Sequence, residues 1–224
     1  MARYGCTITV ATGKVPSAQT DFTWVAVTAN FPSAAIDGGS TSINNGGGNL
    51  RCYTDSGKGT RLPLEVGKFV TGGSPDIIIW GTSSSLNVGD TVYIEADTVA
   101  TSLPADGAAF GRDACNAEFS NVYNLEEAVA GPFVDSTGNT NATATNSSKL
   151  TSVAAANTAL GEGIDFDATT GSSIKASASI AAYPYTLSAW VKIEAFNSGT
   201  IVGVSTSNAD NKLQGMRVGT SNKI

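Results

Sequence analysis

Apolar and polar positions alternate with a period of two along much of the chain, which is the spacing of half-buried β-strands. Tyr4, Cys6, Ile8 and Val10 share one face of the first such run, and residues 23–28 form the next, closed by Phe31-Pro32. Similar patterns predict strands at 50–54, 62–66, 68–70 and 91–96. Asp76-Ile77-Ile78-Ile79-Trp80 is continuous rather than alternating, so it predicts a central strand covered on both faces. Turn-forming stretches such as Asp37-Gly38-Gly39 and Asn44-Asn45-Gly46-Gly47-Gly48 separate these runs. Short strands at regular spacing, with no helical periodicity between them, predict a β-sandwich.

The pattern breaks after residue 97. Residues 105–115 are small and polar, and 115–119 predict one short helical turn. We therefore expect a first domain over 1–100, a linker over 101–120 and a second domain over 121–224. In the second domain the alternation predicts strands at 122–127, 163–167, 173–176, 185–193, 199–204 and 213–219, with a turn at Asp135–Asn139 leading into a Thr/Asn/Ala-rich loop. Leu187, Ala189, Val191 and Ile193 share one face of the 185–193 run, with Trp190 opposite. Trp24, Trp80 and Trp190 all fall inside strand patterns, so all three are expected in the core. The expected fold class is all-β, with two β-sandwiches in tandem.

Composition narrows the chemistry. Charged residues make up 14% of the 224, against roughly 25% in an average soluble domain, and 25 glycines help to fill the gap. There is no histidine, which excludes Ser-His-Asp and Cys-His catalysis and His-ligated zinc. Cys6, Cys52 and Cys115 are far apart and odd in number, and predict reduced, buried thiols made in a reducing compartment. The net charge of −6 comes with no basic stripe, so no nucleic-acid partner is expected. Met1-Ala2-Arg3-Tyr4 runs straight into the first strand pattern, which predicts synthesis without a signal peptide. No run approaches the ~20 apolar residues of a membrane span, so membrane insertion is not expected.

Two oxygen-rich groupings are candidate sites. Glu162, Asp165 and Asp167 could supply paired carboxylates, since alternate strand positions lie about 7 Å apart and glycosidase pairs span about 5–9.5 Å. Asp135, Asn139, Asp165 and Asp167 are the candidates for calcium, which takes carboxylate and carbonyl oxygens. No catalytic residue and no other cofactor is predicted.

Two resemblances follow from particular runs. Tyr4–Val10, Asn49-Leu50-Arg51-Cys52-Tyr53, Leu62-Pro63-Leu64-Glu65, Ile77–Trp80 and Thr91-Val92-Tyr93-Ile94 resemble the DUF2341-type β-sandwich module. Val122–Glu127, Asp135–Asn139, Gly163–Asp167 and above all Tyr185-Thr186-Leu187-Ser188-Ala189-Trp190-Val191-Lys192 are similar to a laminin-G-like (concanavalin A-like) jelly roll. Only about its first half is represented, so the second domain is expected to be an incomplete jelly roll. In such modules the Asp165-Phe166-Asp167 step is expected to place Phe166 in the core. The resemblance implies a non-enzymatic phage virion protein, in capsid decoration or in a tail or fibre, made in the host cytoplasm. Its implied partners are other virion proteins, copies of itself and host-surface glycans. The alternative it implies is a carbohydrate-binding or adhesion protein of a bacterial cell surface.

Overall fold

The computed structural model describes residues 4–13, 17–154, 162–167, 171–177, 185–193, 199–205 and 213–218. The fold is all-β: strands predominate, and the helices among the described residues are single turns. The chain divides into two compact units, one of Met1–Leu125 with Phe133–Asn141, the other of Glu126–Pro132 with Ala142–Ile224. Residues 101–120, expected as a linker, lie within the first unit.

The first unit holds two antiparallel sheets. One is four-stranded, in the order β1 (Gly5–Thr9), β7 (Thr91–Ala96), β3 (Leu50–Tyr53), β4 (Arg61–Leu62). The other is three-stranded, in the order β2 (Gln19–Val27), β6 (Asp76–Leu86), β5 (Leu64–Val70). The continuous apolar run thus starts the central strand β6. Ile77 and Ile79 enter the core and Ile78 is buried on the opposite face.

Register explains which residues meet between the sheets. Cys6, Ile94, Cys52 and Leu62 form one row across the four-stranded sheet. Ala26, Ile79 and Val66 form a row across the other. These join Leu50, Leu64, Phe69 and the edge-on ring pair Phe31–Phe69 in one core. Trp24 pairs with Gly81 in register, and a Cβ on Gly81 would lie 2.0 Å from its ring. The indole therefore occupies the space of the missing side chain, and its Nε1 donates to Ser83 Oγ at 3.1 Å. All three cysteines are free and buried, in keeping with their spacing. Burial pushes the Cys6 thiol up to about 11 and, with the charge of Glu65, the Cys115 thiol up to about 12.

Leu62 ends β4 and Leu64 opens β5, with only Pro63 between them. Proline cannot donate to a sheet ladder, and here it marks the step at which the chain leaves one sheet for the other. Between β2 and β3 lies a single helical turn, α1 (Ser33–Ile36), which buries Ala35 and Ile36.

The second unit's described strands form three antiparallel pairs. β8 (Thr143–Thr145) pairs with β11 (Ser173–Lys175), β9 (Leu150–Val153) with β10 (Gly163–Phe166), and β12 (Gly199–Ser205) with β13 (Leu213–Val218). β10 to β13 fall where the alternation predicts strands, although Gly219 lies outside the described residues. Residues 185–193 do not form a strand, and Trp190 is 78% exposed rather than core. Phe166, expected in the core, is 41% exposed. The alternation is present in both places, but Phe166, Ala189 and Val191 are exposed, while Ile164, Leu187 and Ile193 are partly buried.

Candidate functional site

The outer faces of the first unit's sheets carry three of its buried charged residues. Leu64 and Val66 point into the core, so Glu65 between them points outward. Arg51 and Glu95 pair in register on the outside of the four-stranded sheet. All three are nonetheless buried, Arg51 and Glu65 under contacts from later in the chain and Glu95 beside Lys58. Arg51 donates from Nη2 to the Ser102 carbonyl at 3.0 Å. Lys58 Nζ sits 2.6 Å from Glu95 Oε1, and the Arg61 guanidinium lies 4.6 Å from the Phe110 ring centre. A second helical turn, α2 (Arg112–Cys115), then packs on β5.

Glu65 is the point where this covering is fastened. Its Oε1 accepts from Ser136 Oγ at 2.6 Å and from Asn124 Nδ2 at 2.9 Å. Its Oε2 accepts from Asn116 Nδ2 at 2.8 Å, and the same amide donates to the Arg112 carbonyl at 3.1 Å. Three separate parts of the later segment thus converge on one side chain of β5. Burial pushes the Glu65 carboxyl above its ordinary range, against the opposing hydrogen bonds and the charge of Arg112.

Asp135, the neighbour of Ser136, is a second node. Its carboxylate accepts from Asn121 Nδ2 at 2.6 Å, from the backbone N–H of Val122, Thr137 and Thr140, each at 3.0 Å, and from Thr137 Oγ1 at 2.8 Å. Its own N–H donates to Asn141 Oδ1 at 3.0 Å. A bridge between Tyr123 and Asp135 is the pairing found where 122–127 predicts a strand. Burial pushes the Asp135 carboxyl up, but the donors from Thr140, Val122 and Thr137 outweigh it and hold it below its ordinary value.

These contacts bear on the calcium candidates. A carboxylate offers about four lone-pair sites, and five donors already converge on Asp135. Asn139 donates its Nδ2 to the Ser120 carbonyl at 3.0 Å. Asp165 and Asp167 belong to the second unit, not the first. Both are exposed, as is Glu162, and Asp167 lies 3.5 Å from Lys149 Nζ. Among the described residues no group of three or more Cys, Asp or Glu side chains is placed to hold a metal ion.

Glu65 is absent from the candidates that sequence reasoning supplies. Its signal was a lone acid between two core leucine and valine positions of one strand, followed by an Asn- and Ser-rich segment long enough to satisfy it. Chemically the arrangement is a fastening: two carboxylates whose oxygens are committed to donors of the same chain. Comparison of the chain with protein-family models, with curated proteins and with solved structures finds no match.

Proposed function

We propose that the chain is a non-enzymatic structural component of a phage virion, used in capsid decoration or in a tail or fibre. In this reading it is made in the host cytoplasm and joins other virion proteins and copies of itself. The observation that carries the proposal is the fastening of Asn116, Asn124 and Ser136 onto the sandwich through Glu65, with Asp135 tying Asn121 and Val122 to Thr137 and Thr140. Both carboxylates act as hydrogen-bond anchors that stiffen the unit, which suits a part that bears load and presents loops. The DUF2341-type resemblance of residues 4–94 points the same way.

The second unit, read as a partial laminin-G-like jelly roll, supplies the contact with host-surface glycans. Trp190, at 78% exposure, offers an indole face on which a sugar ring can stack. The same tryptophan favours the second reading, a carbohydrate-binding adhesion protein of a bacterial surface. Mass spectrometry of purified particles separates the two. The virion reading expects the chain at a fixed ratio to the major capsid protein. Its absence from every particle, with recovery from the cell envelope instead, would sink that reading and leave the adhesion protein.

A further inference from the structure

Asn45-Gly46 is the single Asn-Gly step of the chain, and it carries chemistry that the proposed function does not use. An asparagine can modify itself. The next backbone nitrogen attacks the side-chain Cγ, ammonia leaves, and water opens the resulting cyclic succinimide to aspartate or isoaspartate. Glycine favours the step, because it has no Cβ to hinder the attacking nitrogen and its backbone turns freely. Asn45 and Gly46 are both exposed, so water reaches them. Chain neighbours aside, no heavy atom lies within 4 Å of the place a Gly46 Cβ would take.

Both reacting groups are held by one short piece of chain. The Gly46 N–H, which supplies the nucleophile, donates to the Phe69 carbonyl at 2.7 Å. Asn45 Oδ1, on the carbon to be attacked, accepts from the Thr71 N–H at 3.2 Å. Phe69 lies in β5, and Thr71 follows its last residue, Val70. That strand end is itself anchored. Phe69 is buried in the core and pairs in register with Ile77, and Lys68 Nζ sits 2.9 Å from Asp76 Oδ2. The Gly46 nitrogen must lose its proton and face the Asn45 side chain to react, so its bond to Phe69 has to break first.

We propose that Asn45 is a self-deamidation site gated by the end of β5. It is closed while Phe69 and Thr71 hold the turn, and it reacts when that strand end opens locally. The isoaspartate product does not fit back. It adds a methylene to the main chain of a turn tied at both ends, where the Asn44 N–H donates to Asn49 Oδ1 at 3.0 Å and the Leu50 N–H to the Gly47 carbonyl at 2.9 Å. Gly47 has no slack to take up the extra length, since even a Cβ there would lie 2.8 Å from Leu50 Cδ1 and 3.3 Å from Phe69 Cβ. The added length therefore displaces Gly46 from Phe69, and the gate stays open after the first reaction. This inference stands on the turn alone and does not rest on the virion reading.

The test follows conversion of Asn45 in the full chain by peptide mass mapping, folded in mildly alkaline buffer and unfolded in guanidinium chloride at the same pH. Conversion is expected in the unfolded chain, and at least about tenfold slower in the folded one, the factor that two such hydrogen bonds supply. Thr71→Pro removes the N–H that holds Asn45 Oδ1, and should speed conversion of the folded chain several-fold with the melting temperature kept. A second measurement needs no variant. Below the unfolding transition, the conversion rate should rise with guanidinium in step with hydrogen exchange of the Gly46 amide. Equal rates in the folded and unfolded chain would overturn the proposal, as would an Asn45 that survives unfolding. So would a folded rate unrelated to Gly46 exchange, or a folded Thr71→Pro chain that converts no faster.

Discussion

In the first unit two sheets cover each other's inner faces, and a later segment covers charged parts of their outer ones. In the second unit the described strands stand in three separate pairs, with Phe166, Trp190 and Val191 exposed. Among the described residues its buried apolar side chains are Ala142 and Leu150, against the sixteen-residue core of the first. A two-stranded pair is marginal on its own, so the two units hold their strands by different means. The difference shows what alternation measures. It marks a segment able to be half-buried, and a strand follows only where a second surface meets the apolar face.

The sharpest way to break the comparison is at Asp135. Asp135→Asn keeps one acceptor oxygen for Val122 and Thr137 but turns the other into an amide nitrogen that faces the donors of Thr140 and Asn121. Leaving these two donors unmatched costs about 1–3 kcal/mol each, so we expect a loss of at least ~2 kcal/mol in chemical denaturation. The loss should fall on the first unit, seen as faster hydrogen exchange in 120–125 and 133–141. Equal loosening of both units would contradict the assignment of this node to the first.

A smaller effect, with a distinctive pH dependence, is expected at Glu65. Its folded pKa lies above the unfolded value of about 4.3, so its contribution favours folding below that value and is lost as pH rises through the folded pKa. Asp135 has the opposite sign: its contribution is present above the unfolded value of about 3.9 and is lost as pH falls through the folded one. Stability measured against pH should therefore contain a component that declines from about pH 4.3 upward, and Glu65→Gln should remove it. A Gln variant with an unchanged pH profile would show that Glu65 is not the group responsible.

The smallest effect on stability is expected in the second unit. Trp190→Ala removes a 78% exposed ring and should change stability by less than ~0.5 kcal/mol, as surface substitutions do. Its consequence should appear in glycan-array binding instead. A large loss of stability would mean that Trp190 is covered in solution and that the two units are more alike than their exposures suggest.

Much of the first unit could be read from the sequence. Its strands leave a local record, because Cys6-Ile8 and Val92-Ile94 need only keep their period to find one face. Residues 101–120 could not be read in that way. They pair with little regular structure and are held by contacts distant in sequence, such as Arg51 with Ser102 and Glu65 with Asn116. Composition reports their polarity but not its destination. Asp135 illustrates the same limit from the other side. An Asp-Ser-Thr-Gly-Asn turn fits a cation site and an Asx-type turn equally well, and only the positions of the surrounding N–H groups decide between them. In 185–193 the local pattern was clear and the partner surface was what could not be seen.

The adjacency of Asp135 and Ser136 has a consequence for how this protein can change over time. Consecutive residues serve two anchors, one gathering Asn121, Val122, Thr137 and Thr140 and the other gripping β5. Inserting or deleting one residue between them would put both out of step, whatever the new side chain. The Asn44–Gly48 turn is constrained in the same way, since Asn45 Oδ1 accepts from the Thr71 N–H and the Gly46 N–H donates to the Phe69 carbonyl, and both stretches should stay constant in length.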